Sequence, residues 1–359
     1  MLTKKMLERF KKVTTINAIP GIENELTAYL DKEFKKLGYE VIYDNLGSVF
    51  AVKRSKTKDP YKVVVASHAD EVGLIVDRIQ KNGIIKVSAR GGIDPLTLLA
   101  QRATLTTKAG AKLQGAVDSL PPHLKSQGTN NLKINALNFD FGFASKDEAL
   151  AAGVNIGDMI VINGEFLELN GGKRLLSKAF DNRYGVFLAL EVAEYYQDKK
   201  LPYDLYIGAT VQEEVGLRGA VTASNLIKPD LAIVLDCSPA RDTVGGNEGG
   251  ALGQGILLRY FDRSMIANKT LLSFQEETAK ELGVKTQYYM SLGGTDAGAF
   301  HLSNIGVATL THCICARGLH TNSTIVDAKD VVDARKVLLR MLEKLTPAEI
   351  KRLKESKHG

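Results

Sequence analysis

The stretch Ile207-Gly208-Ala209-Thr210-Val211-Gln212-Glu213-Glu214-Val215-Gly216 constrains this chain more than any other. It opens as an apolar run with the texture of a buried strand and stops abruptly at two adjacent carboxylates and a glycine. In open α/β sheets, ligands bind outside the carboxyl ends of the strands. Unpaired carboxylates buried there are costly, so the pair needs a partner, and a bound cation is the simplest one. Successive strand residues point to opposite faces. Glu213 and Glu214 can therefore serve one site only if the chain is already turning, with Gly216 easing the bend. One would then act as a ligand and the other as a base.

Other strand ends carry compatible groups. Tyr61 to Ala66 reads as a buried central strand that ends at Ser67-His68-Ala69-Asp70-Glu71. Asp230 to Leu235 reads as a strand ending at Asp236, and a strand over Gly306 to Leu310 precedes Arg317-Gly318-Leu319-His320-Thr321. Asp181 stands at the mouth of a helix running from Asn182 to Tyr196. Taken singly, these are ordinary: a hydrogen-bonded histidine, a helix cap, a turn residue, a solvated acidic pair. A parallel sheet, however, gathers them at one edge. Imidazole and carboxylate without thiolate favour Zn, Co or Mn. Two such ions about 3.5–4 Å apart need roughly five ligands, one of them a bridging carboxylate. His68, Asp181, Asp236, His320 and one of the two glutamates make up that set. The other glutamate is left beside the water as general base. Asp70, two residues after His68, is placed to accept the second imidazole N–H and fix the tautomer.

The remaining pattern predicts an α/β protein with a mixed, mostly parallel sheet flanked by helices. Helices are expected over Met1–Val13, Glu23–Leu37, Leu217–Ile227, Ser264–Leu282, Thr295–Leu302 and Asp327–Leu345, and further strands over Tyr39–Tyr43, Val49–Val52, Tyr203–Val211, Gly255–Tyr260 and Val284–Tyr289. From about Val72 the texture changes to short β-like runs separated by glycine turns, which predicts a small inserted all-β, barrel-like domain. The division expected is 1–71 plus 172–359 for the α/β domain and 72–171 for the insert. Within the insert, the polar stretch from Pro121 to Asn138 reads as an irregular loop, and its His123 as a surface histidine.

Composition narrows the partners. The 47 basic and 41 acidic residues are interspersed, giving a net charge of +6 without a basic block, so no nucleic-acid partner is expected. No apolar run is long enough to span a bilayer, and Met1–Val13 reads as an amphipathic helix, not a targeting peptide. Three cysteines, Cys237, Cys313 and Cys315, lack zinc-finger spacing and suit the cytoplasm.

The ordered set His68-Ala69-Asp70-Glu71-Val72-Gly73, Ala179-Phe180-Asp181-Asn182-Arg183, Gln212 to Ala220, Asp236, Gly293-Gly294-Thr295-Asp296-Ala297 and Arg317…His320 resembles one family over nearly the whole chain. It is that of the co-catalytic metallo-aminopeptidases of the tetrahedral type, which includes glutamyl and deblocking aminopeptidases and some members once labelled endoglucanases. The resemblance implies two divalent metal ions per subunit. His68 and Asp236 would bind one, Glu214 and His320 the other, and Asp181 would bridge them. It also makes Glu213 the base and Asp70 the residue that orients His68, with a cis Asp181–Asn182 bond. Gly293, Gly294, Thr295 and Asp296 would line the substrate site. Arg259, Arg263 or Arg317 would attract an acidic side chain, as in glutamyl members. The implied substrates are peptides. The insert would mediate dimerisation, with dimers building a homododecamer. The chain departs from the family's pattern at Gly318, where an aromatic residue is usual. Related metal pairs also serve carboxypeptidases and N-deacylases. A glycosidase needs only two carboxylates flanking the bond and leaves both histidines unexplained. A metal-free scaffold leaves the whole ligand set unexplained.

Overall fold

The computed structural model describes residues 1–119, 132–244 and 249–356. Helices α1 (Lys4–Thr15) and α2 (Asn24–Lys36) lead into strands β1 (Glu40–Tyr43), β2 (Val49–Lys53) and β3 (Lys62–His68). The insert follows: β4 (Gly73–Ile79), β5 (Ile85–Arg90), β6 (Arg102–Thr106), β7 (Lys112–Val117), β8 (Phe139–Asp140), α3 (Lys146–Ala151) and β9 (Met159–Ile162). The chain returns through β10 (Leu167–Leu169), β11 (Arg174–Ser177), α4 (Phe180–Tyr196), β12 (Asp204–Thr210), α5 (Arg218–Ile227) and β13 (Leu231–Pro239). It closes with β14 (Ile256–Phe261), α6 (Lys269–Glu281), β15 (Thr286–Met290), α7 (Asp296–His301), β16 (Ala308–Arg317), β17 (Thr324–Asp327), α8 (Ala328–Lys344) and α9 (Pro347–Glu355).

Eleven strands form one sheet in the order β1-β2-β12-β3-β13-β16-β17-β11-β10, with β14 on β16 and β15 on β14. Its centre, β12-β3-β13-β16, is parallel, and the flanking strands pair antiparallel to it. The central strands are buried throughout most of their length, as near-continuous apolar runs require when both sheet faces are covered. On one face α4 lies against the sheet and under α1. It is buried around almost its whole circumference, and Phe187 stacks on Phe10 at 4.7 Å between ring centroids. On the other face α5 and α7 cover Val64, Tyr206 and Val234.

The insert is a closed six-stranded barrel, β4-β5-β8-β7-β6-β9, with its own apolar core around Leu74, Val87, Leu105, Phe139 and Ile160. The sequence division at 171/172 assigned Leu167–Leu169 to the insert. In the structure these residues pair with β11 in the large sheet, so the chain has left the barrel by then. Where it first enters the barrel, the buried Glu71 carboxylate accepts from Lys178 at 2.6 and 2.8 Å and from Arg183 at 3.1 Å. Arg183 also donates to the carbonyls of Val13, Ile16, Ala18 and Ala69, pinning the junction to α1. His123 lies outside the described residues.

Several bounds differ from expectation. Strand β13 continues past Asp236 to Pro239, and β16 continues past Leu310 to Arg317, because each pairs with the other along its full length. Helix α6 starts at Lys269, capped by the Asn268 side chain. The preceding turn is instead held by Asp262, which accepts from the amides of Ser264 and Met265.

Candidate metal centre

The parallel centre of the sheet brings three of the segments together. His68 closes β3, Asp236 projects from β13, and Glu213 and Glu214 follow β12. The chain turns at Gln212 (φ 58°) and Gly216 (φ 120°), so neither glutamate sits in extended strand. Asp181 opens α4 in non-helical geometry, across a cis bond to Asn182. His320 arrives on the loop after β16 with a left-handed φ of 60°.

Two clusters result, His68–Glu213–Asp236 and Asp181–Glu214–His320, and within each the ligand atoms lie inside 4.8 Å of one another. Asp181 spans both. Its Oδ1 is 3.2 Å from His68 Nε2 and its Oδ2 is 3.6 Å from His320 Nε2. His68 Nε2 is also 3.9 Å from Glu213 Oε2 and from Asp236 Oδ1, and His320 Nε2 is 3.6 Å from Glu214 Oε2. The first cluster is closed off, with His68 and Asp236 buried, whereas 37% of the His320 side chain is exposed.

Both imidazoles are oriented by backbone carbonyls. His68 Nδ1–H donates to the Asp70 carbonyl at 3.0 Å, and His320 Nδ1–H donates to the Gly92 carbonyl at 2.7 Å. A carbonyl can only accept, so each Nδ1 carries the proton and each Nε2 is left to face carboxylate oxygens. The Asp70 carboxylate also faces this imidazole of His68, with Oδ1 3.6 Å from Nδ1, and its two oxygens accept the amides of Glu213 at 3.1 Å and Glu214 at 3.0 Å.

The electrostatics of the clusters ask for positive charge. Among the described residues, the ion pairs of Asp181, Glu213, Glu214 and Asp236 are with His68 and His320 alone. Burial, reinforced by neighbouring carboxylates, pushes Glu213 and Asp236 well above the carboxylate range and Glu214 up to about 7. Burial pulls the imidazoles down, but the facing carboxylates outweigh it, lifting His68 well above its usual value and His320 to about 9. Glu214 Oε1 is buried without a partner. Two imidazole Nε2 atoms set among carboxylates, together with an orphaned carboxylate oxygen, are a donor set that divalent cations satisfy. The residues present therefore fit two metal ions.

The expected substrate residues divide. Gly293 and Gly294 are exposed at the end of β15, and Thr295 caps α7. Asp296 is buried and accepts from the Thr210 hydroxyl, and burial lifts it to about 7. It supports the site from within and offers substrate no surface. Arg259 is also corrected. It is buried, with Nε 2.9 Å from Asp262 and its remaining groups donating to Ser238 and to the Gly293 carbonyl. Arg317 forks onto Asp242. Gly318 has a φ of 65°, in the left-handed region that favours glycine. Sequence reasoning missed Lys178. It lines a cleft of about 550 Å³, part of it open solvent, with Asp181, Glu214 and His320; Leu74, Ile93, Leu98, Val161 and Ile162 form the opposite side.

The chain is similar to known proteins over nearly its whole length. The family model described as M42 glutamyl aminopeptidase matches residues 47–337. The glutamyl aminopeptidase of Lactococcus lactis subsp. cremoris is 40% identical over 352 residues, covering 97% of this chain and 99% of that protein. A TET aminopeptidase from a marine sediment archaeon, Thaumarchaeota archaeon SCGC AB-539-E09, superposes with a TM-score of 0.92 at 32% identity, covering 97% and 99% of the two chains. The Pyrococcus horikoshii TET1 peptidase, described as assembling into a tetrahedron or a large octahedral shell, superposes at 0.85 with 28% identity over 95% and 100%.

Proposed function

This chain belongs to the M42 glutamyl aminopeptidase family and is an aminopeptidase, and from that premise we propose that it releases N-terminal residues from peptides with two divalent cations, Zn, Co or Mn, and Glu213 as general base. The observation that carries the reading is the Asp181 carboxylate, whose two oxygens face the imidazoles of two separate clusters. His68, Asp236 and Asp181 would hold one cation; Glu214, His320 and Asp181 would hold the other. When bound, the pair would supply Lewis acidity toward the scissile carbonyl and lower the pKa of water.

The chain's own part is positioning and proton transfer. Glu213 takes a proton from the attacking water and returns it to the leaving amine. Asp70 holds the backbone of both glutamates from beneath. Calorimetric titration of chelator-treated protein with zinc, together with turnover of N-terminal amino-acid anilides, tests this. Fewer than two cations per chain, or activity that survives chelation, refutes it.

Two preferences for the N-terminal side chain have support. An acidic preference rests on the 40%-identical glutamyl relative and on Lys178, the cation lining the cleft. An aliphatic preference rests on the apolar wall of that cleft and on the Glu71 carboxylate already paired with Lys178. The ratio of kcat/KM for Glu- and Leu-anilides decides between them.

Self-association follows from the same premise. We propose a homododecamer of dimers, joined through the insert and through a second face on the large sheet. Tyr260, Phe261, Ile266, Tyr288, Met290 and Leu292 are exposed together at the free β15 edge. The Tyr260 and Tyr288 rings lie 6.3 Å apart, and Phe261 bridges to Ile266. Large apolar side chains exposed contiguously mark interaction surfaces. Among the described residues no helix is long and apolar enough to cross a membrane. The three cysteines are free and buried, in keeping with the cytoplasmic location we propose.

A further inference from the structure

We propose that the inserted barrel is a working part of the metal centre: it positions Glu214 and His320, the ligands particular to one cation, while His68 and Asp236, the ligands particular to the other, depend on the large sheet. The proposal rests on the two-cation reading above. His68 and Asp236 stand on β3 and β13, whose backbones are fixed by parallel neighbours along the sheet. His320 has no such support. It lies on a loop, in a left-handed conformation that is uncommon outside glycine.

The surroundings of His320 come largely from the barrel. The Gly92 carbonyl, just beyond β5, accepts from His320 Nδ1 at 2.7 Å and so sets both tautomer and ring direction. Two residues on, the Asn322 side chain donates to Gln101 at 2.9 Å and to the Asn163 carbonyl at 2.8 Å, on the approaches to β6 and from β9. Gly91 packs against the second ligand. A Cβ placed there would come within 3.2 Å of Glu214 Cβ and 2.7 Å of Val72 Cγ1, and the residue has a φ of 89°. The ligand loop is thus tied to the barrel at His320 and at Asn322, while the Gly91 backbone abuts Glu214. Gly91, Gly92 and Asn322 are positioning residues, and they act on the cation through the ligands they hold.

The test is zinc titration of chelator-treated full-length protein by calorimetry, comparing wild type with Asn322→Ala and Gly91→Ala. Gly110→Ala serves as control, being a barrel turn glycine with φ 86° where an added Cβ would meet nothing within 4 Å. Asn322→Ala should weaken one of two sites by about 10- to 100-fold and leave the other within twofold. The weakened site should be the one that Glu214→Ala abolishes. Gly91→Ala should act on the same site, and Gly110→Ala on neither. Equal weakening of both sites, wild-type affinity at both in Asn322→Ala, or the same loss in Gly110→Ala overturns the proposal. Fewer than two sites in the wild type refutes the two-cation reading itself.

Discussion

Asp70 offers the sharpest test of how the site is held together. It is fully buried, and its two carboxylate oxygens accept the amides of Glu213 and Glu214. Asp70→Asn keeps size and shape but replaces one acceptor with an NH₂ group, which then confronts an amide donor. One charge-assisted hydrogen bond, worth about 1.5–3 kcal/mol, becomes neutral, and a second is exchanged for an orphaned N–H at about 1–3 kcal/mol. A net loss of about 3 kcal/mol should appear as a lower urea midpoint at unchanged slope. Displacement of the paired glutamates by on the order of 1 Å should cost about 100-fold in kcat. His68 keeps its Nδ1 partner, because that partner is the Asp70 carbonyl, so zinc affinity at the His68–Asp236 position should hold. Unchanged stability and turnover would refute the reasoning. Selective loss of the His68–Asp236 cation would do so as well, since it would return the carboxylate to the imidazole.

Glu213→Gln should keep two zinc sites by calorimetry and lose about 10²–10⁴-fold in kcat, whereas Glu214→Ala should lose one site; the reverse pattern means the roles are exchanged. His312 is buried between Gln275 and the Ala334 carbonyl, and burial depresses its pKa to about 4. The unfolded chain takes up this proton near pH 6.5 and the folded chain does not, so stability present above pH 6.5 is lost as pH falls toward 4. The loss should be about 2 kcal/mol between pH 7 and 5, and it should be absent from the urea-midpoint difference curve of His312→Gln. Replacing Tyr288 and Leu292 together by Glu should lower the solution mass measured by light scattering. An unchanged mass assigns assembly to other surfaces.

Much of this was legible because apolar runs and their abrupt ends are visible without a structure. His68 and the Glu213–Glu214 pair follow strands that read clearly, and the parallel centre gathers them as expected. The limits of the reading have physical causes. Asp236 looks like the end of a strand because polarity begins there, yet β13 and β16 stay paired to Pro239 and Ala316. The expected strand stopped at Leu310 in the same way, before Thr311 and His312, although the buried partners of His312 carry it inside. Strands β8, β10, β11 and β17 have two to four residues each, too few for a period to show. Arg259 looked available to substrate, but Asp262, three residues later, was a sign that it was already paired. Nothing in Gly91-Gly92 marked it as more than a turn, because its role depends on a histidine more than two hundred residues away.

The proposed ligand set runs from His68 to His320 and draws on three sheet segments, a helix start and a loop laid on the barrel. No fragment of the chain carries a complete cluster, so a cation recognises only the assembled molecule. Mass action then stabilises the native state by about 2.7 kcal/mol for each site held at a hundredfold excess over its Kd. With marginal stabilities of about 5–15 kcal/mol for proteins in general, two such sites are a large share of the whole. Chelation should therefore act on this protein as a denaturant does, and its melting temperature should follow the free-cation concentration of the buffer.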